Sequence, residues 1–213
     1  MTITLELRQL DVPPGQRIRI NRIDWSEFEA ILKELGERRS SRIAYSHNTL
    51  EIRMPTPEHE VDKEIIGDMV KILLDELEID CECFGSTTFK RQEMGFGLEP
   101  DQCFYISNHA QMRGKRRVNL SIDPPPDLAI EVDVTSKTQL EAYASLGVPE
   151  LWIWDSGKLN IYVLRSQHYQ LVTQSPTFPE LAIANLVTDA IAQSIAIGRS
   201  PALRAFRQQV RNL

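Results

Sequence analysis

The chain has 213 residues, 24 Lys and Arg against 30 Asp and Glu for a net charge of −6, with 42% hydrophobic and 25% charged residues. A chain of this length can bury a substantial core as one large domain, and the composition excludes wholesale disorder. The acidic balance argues against a protein that coats nucleic acid through bulk charge, while leaving room for a local basic groove or an acidic metal site.

At the N-terminus, Met1 to Glu6 lacks the basic start and apolar stretch of a signal peptide, and no apolar run approaches the ~20 residues of a membrane helix. The expected location is therefore cytoplasmic. Alternation at Thr2 to Leu7 suggests a strand, broken at Pro13-Pro14-Gly15. Asp24 opens a short helix whose Phe28, Ile31, Leu32 and Leu35 share one stripe, and Gly36 ends it. Arg42 to Tyr45, the turn Ser46-His47-Asn48 and Thr49 to Met54 read as a hairpin.

Pro55-Thr56-Pro57-Glu58 introduces a strong helix over about His59 to Leu77, with Glu64, Asp68, Lys71 and Asp75 on its polar face. Strands follow at Cys81 to Phe84, Ser86 to Gln92, Asp101 to Ser107 and Asp127 to Val134. The cysteines Cys81, Cys83 and Cys103 are too few for a disulfide framework and read as reduced packing residues. A helix over Thr138 to Leu146 ends at Gly147. Strands at Pro149 to Trp154, Lys158 to Arg165 and His168 to Gln174 come next, and helices over Leu186 to Ile197 and Pro201 to Leu213 finish the chain.

This order describes an α/β (α+β) domain around a mixed sheet flanked by helices. We divide the single domain, 1–213, into an N-terminal strand, helix and β-hairpin extension (1–54), a core (55–175) and C-terminal helices (176–213).

Three acids stand out. Asp101 begins the strand after Pro100. Glu131 and Asp133 lie in an otherwise apolar run, on one strand face with Cα atoms roughly 6.6 Å apart. Acids in such a run are costly unless paired, hydrated or metal-bound, and Mg²⁺ is the natural cation for oxygen ligands of this type. The plainer alternative is a strand face open to water.

Glu99-Pro100-Asp101, the thirty positions to Glu131 and the run Pro126 to Val132 resemble the PD-(D/E)xK nuclease superfamily. More narrowly, Tyr143 to Asp155 and Trp25 to His59 resemble the Uma-two-type restriction endonuclease family, with the likeness covering roughly Trp25 to Val172. The resemblance implies a restriction-endonuclease-like core and a Mg²⁺- or Mn²⁺-dependent DNA endonuclease. Asp101 and Glu131 would be metal ligands with the Val132 carbonyl as a third, and a first-helix acid, Glu64 or Glu60, would assist. The superfamily's lysine position, two after the second acid, is Asp133 here, and the family's alternative helix position is Gln139. Lys137 and Lys90 are the nearby candidates for that charge.

His59 falls where the family often has a histidine, which would contact phosphate or metal or orient the helix. Arg113, Lys115, Arg116 and Arg117 form the densest basic cluster, suited to phosphates or simply solvated. Arg204, Arg207 and Arg211 make a helical stripe beside Leu203, Phe206 and Val210, which would dock on the body or on another subunit. The family also implies a homodimer, each site taking one DNA strand. Against the endonuclease stands a nuclease-derived module that binds nucleic acid or a protein without cutting, motivated by Asp133 and Gln139.

Overall fold

The computed structural model describes residues 10–36, 39–132 and 137–212, with the side chains of 137 and 138 excepted. In chain order the elements are β1 (Arg17–Asn21), α1 (Trp25–Leu35), β2 (Arg42–Ser46), β3 (Thr49–Arg53), α2 (Pro57–Glu76), β4 (Glu82–Cys83), β5 (Phe89–Arg91), β6 (Phe96–Leu98) and β7 (Gln102–Tyr105). Then come α3 (His109–Met112), β8 (Leu128–Val132), α4 (Lys137–Leu146), β9 (Glu150–Asp155), β10 (Lys158–Arg165), β11 (His168–Val172), α5 (Ile183–Ile197) and α6 (Arg199–Arg211).

The strands form two sheets: a five-stranded one in the order β1-β3-β2-β6-β5 and a six-stranded one in the order β11-β10-β9-β8-β7-β4. Every pairing is antiparallel except β8 with β9. That parallel pair needs a crossover, which α4 supplies. The fold is the mixed α/β architecture expected, with helices flanking the sheets.

Local chemistry accounts for the element boundaries. Asp24 caps α1 through a capping box with Glu27, whose carboxylate returns to the Asp24 N–H at 2.8 Å. Thr56 caps α2, and Pro57 stands in its first turn, where the missing N–H costs nothing. His47 and Asn48 both take positive φ, 48° and 58°, the backbone that a two-residue hairpin turn with the right twist requires.

Sequence patterning missed three elements. β1 has an Arg-Ile-Arg-Ile alternation and exists by pairing with β3. β6 contains Gly97 and spans three residues, so its strand character comes from β2 and β5 on either side. α3 is a single turn. The strand expected at Thr2 to Leu7 lies outside the described residues. The hairpin is not set apart from the core, because β2 pairs with β6.

Period two sorts the six-stranded sheet into two faces. Phe104, Leu128, Ile130, Val132, Trp152 and Trp154 pack against α2, α5 and α6. Cys103, Ala129, Leu151 and Ile153 face the other way, toward Tyr143 and Leu146 of α4 and Phe96 and Leu98 of the first sheet. Phe28 of α1 joins Ile43, Tyr45, Leu50 and Ile52 in a third cluster. Among the described residues, no helix is long and apolar enough to cross a membrane.

Candidate active site

Glu99-Pro100-Asp101 is the link by which the chain leaves β6 of one sheet and enters β7 of the other. The β7–β8 register pairs Gln102 with Ile130 and Cys103 with Ala129. One step further along that register sets Asp101 opposite Glu131. Like charges directly across a strand pair are unfavourable, and both residues are fully buried. The arrangement therefore requires compensation from nearby groups.

Arg53 provides much of it. The last residue of β3, it sends one guanidinium nitrogen, Nη1, to the Val132 carbonyl at 2.7 Å. The other, Nη2, lies 3.5 Å from each Asp101 carboxylate oxygen and 3.3 Å from Glu131 Oε2. Asp101 also accepts from the Val132 N–H at 3.0 Å and faces His59 Nε2 at 2.9 Å, with Arg42 Nε 3.8 Å away. On the α4 side the buried Tyr143 hydroxyl donates to Glu131 Oε1.

These surroundings push the two acids apart. Burial acts to raise the Asp101 carboxyl, but the His59 hydrogen bond and the Arg53 charge outweigh it and hold it down to about 2. Burial, reinforced by the Asp101 charge, pushes the Glu131 carboxyl well above the usual carboxylate range, with Arg53 and Tyr143 only partly offsetting this. Burial and then the Glu131 charge raise the Tyr143 phenol, which keeps its proton and remains a donor. Burial opposes charge on Arg53, yet Asp101 and Glu131 together keep its guanidinium protonated.

The other expected site residues distribute as follows. His59 is buried against Asp101 rather than open to a phosphate. Glu64 stays on the exposed face of α2, whereas Glu60 joins the outer layer: Oε2 meets Lys63 Nζ at 2.5 Å and Oε1 lies 3.8 Å from Arg42. Lys90 is on β5, bound to Glu29 at 2.7 Å, and is not brought to the acids. Asp133 lies outside the described residues, and the side chain of Lys137 does too. Among the described residues the basic side chains against Asp101 are Arg53, Arg42 and His59, with no lysine among them. Gln139 is buried.

Sequence reasoning missed Arg53, Tyr143 as a donor to Glu131, and the buried Lys63. For Arg53 the available signal was its position as the last strand residue before Met54-Pro55, at a hairpin end that need not face solvent.

On the side of Arg42, which lies 3.8 Å from Asp101, opens a groove of about 700 Å³ lined by Arg39, Ser41, Arg42, Thr88, Lys90, Glu99, Arg116 and Arg117 among others. Arg39 is tied to Glu99, and Thr88 donates to the same carboxylate at 2.6 Å. Arg116 and Arg117 are exposed. Arg113 is also exposed but is not part of the lining, and Lys115 pairs with Asp123.

The donor set has the chemistry of a hard-cation site: two carboxylates and a carbonyl, all oxygen. The Arg53 guanidinium is a stand-in cation that touches all three groups, so these residues fit a divalent metal at that point. No group of three or more His, Cys, Asp or Glu side chains gathers for a metal among the described residues. Any such metal would therefore complete its shell with the carbonyl and water.

The family profile described as "Uma2: Putative restriction endonuclease" matches residues 25–195. The chain belongs to the Uma2 family. Its Uma2 segment spans α1 through most of α5 and includes every residue of the acidic site. Among solved structures, this Uma2 chain is similar to "a putative nuclease belonging to DUF820" from Anabaena variabilis, with a TM-score of 0.50 and 16% sequence identity. That likeness covers 76% of this chain and 92% of the other, and at such identity it speaks for the fold alone. No curated protein matches.

Proposed function

We propose that this Uma2 protein is a metal-dependent endonuclease that hydrolyses DNA phosphodiester bonds. The observation that carries the reading is the convergence of Asp101, Glu131 and the Val132 carbonyl on one cationic point, occupied by the Arg53 guanidinium, at the junction of the two sheets. The proposed ligands for Mg²⁺ or Mn²⁺ are those three groups. When bound, the metal supplies an acidified water and offsets charge on the phosphate oxygens.

The chain's own residues do the rest. His59 holds the Asp101 carboxylate in orientation, and Tyr143 does the same for Glu131. Arg116 and Arg117 grip backbone phosphates in the groove that they line with Arg42 and Glu99, a sequence-independent contact that sets register. Asp133, the first-helix acid Glu60 and Lys137 are further proposed contributors to the local charge. A duplex cut on both strands calls for two such sites, so the proposed working form is a homodimer.

The test is nicking of supercoiled plasmid by the purified full chain with Mg²⁺ or Mn²⁺. Glu131→Ala is expected to abolish cleavage, and cleavage unchanged in that variant rejects the assignment.

One observation favours a second reading. Gln139 occupies the position where the family commonly carries lysine, and it is buried. A nuclease-fold module that binds nucleic acid without cutting it would show retention of DNA and no turnover with any of several divalent metals.

A further inference from the structure

Arg53 makes the carboxylate pair tolerable, and among the described residues its guanidinium is held by Val132, Asp101 and Glu131. Its Nη atoms contact Val132, Asp101 and Glu131, whereas its Nε is buried without a hydrogen-bond partner. Beside it lies a cavity of about 250 Å³, lined by Arg53 itself with Gly15, Arg17, Met54, Pro55, Thr56 and His59. That space adjoins the Arg53 side chain itself.

The three groups Arg53 contacts are the oxygens that a hard divalent cation would take. A guanidinium and a dication cannot share them, because they would repel at contact distance in a site with little water to screen them.

We propose that Arg53 is the resident cation of this site, and that a divalent metal reaches Asp101, Glu131 and the Val132 carbonyl only when Arg53 withdraws into the adjoining cavity. Metal occupancy is then conditional on a competing internal charge. The inference rests on the proposed metal-binding role of the carboxylates, and it concerns binding rather than cleavage.

The experiment measures Mn²⁺ binding to the full chain by electron paramagnetic resonance of the free ion, without nucleic acid. It compares the wild type, Glu131→Gln, Arg53→Met, Arg53→Gln and the Arg53→Met/Glu131→Gln double variant. Arg53→Gln keeps an amide donor for the Val132 carbonyl, so it serves if the methionine variant folds poorly; circular dichroism checks both.

The expected result is Mn²⁺ affinity about tenfold or more higher in the neutral variants than in the wild type, with the gain removed in the double variant. Equal affinity in the wild type and the neutral variants, with Glu131→Gln alone weakening the wild type, overturns the competition while leaving the metal site standing. Absence of Glu131-dependent binding in every neutral variant overturns the competition and the metal-binding reading together.

Discussion

At the scale of single residues, Asp101 and Glu131 are chemically similar side chains placed opposite each other, and their surroundings make them different acids. The Asp101 carboxyl is depressed, so its contribution to stability is present above the unfolded value of about 3.9 and is lost as pH falls through about 2. Glu131 is raised. The fold holds its proton more tightly than the unfolded chain does, so that stability is full below about 4.3 and is lost as pH rises through the raised value.

Glu131→Gln removes the second charge while keeping the shape. It is expected to leave thermal stability near pH 4 unchanged and to raise the melting temperature by a few degrees near pH 8, on the order of 1 kcal/mol. Parallel pH profiles of the wild type and the variant, measured by thermal denaturation, would sink this account. The acids themselves were legible from the sequence, Glu131 as an unusual member of an apolar strand run and Asp101 as the acid that follows Pro100 at a strand start. Their burial was not, because a period-two pattern gives a face and not what covers it.

At the scale of elements, the close approach of α1 to the first sheet is set by a missing side chain. A Cβ added at Gly97 would stand 2.5 Å from Phe28 Cζ. The Phe28 ring has little room to yield, since it is fully buried and stacked on Tyr45 at a centroid distance of 4.5 Å. Gly97→Ala is expected to destabilise the protein by about 1–3 kcal/mol in urea denaturation. Phe28→Leu in the same chain should recover part of the loss, a coupling that residues in contact show.

The helices and the hairpin could be read from periodicity and capping residues, because those signals are local. β6 could not. A three-residue strand around glycine has no local preference strong enough to announce itself, and only its neighbours β2 and β5 make it a strand. The C-terminal helix shows the same division. Its apolar stripe docks on the body, with Phe206 and Val210 in the main core. Its arginines Arg207 and Arg211 both meet Glu76 of α2 at 2.5 Å, so the basic stripe serves an internal contact rather than a free surface.

At the scale of the whole molecule, the net charge of −6 conceals a separation of charge. Part of the acid surplus is drawn inside, around Asp101 and Glu131, while Arg39, Arg42, Lys90, Arg116 and Arg117 line one groove from separate parts of the chain. Reversing Arg116 and Arg117 together to glutamate should weaken DNA binding strongly at low salt. It should also reduce the slope of log affinity against log salt by about 2, as expected for the loss of two phosphate contacts. Filter binding over a salt series measures both, and an unchanged slope would place the nucleic acid elsewhere.

The sequence by itself determined most of the order of elements, the family and the two candidate acids, because each of these is written in short-range pattern or contiguous motif. Only the tertiary structure decided what balances those acids. Arg53 stands 48 positions before Asp101 and 78 before Glu131, on a strand of the other sheet. Nothing in local sequence links a hairpin's last residue to the start of β7 and the end of β8. The two sheets meet at the Glu99-Pro100-Asp101 link, and that meeting sets the guanidinium against the carboxylates.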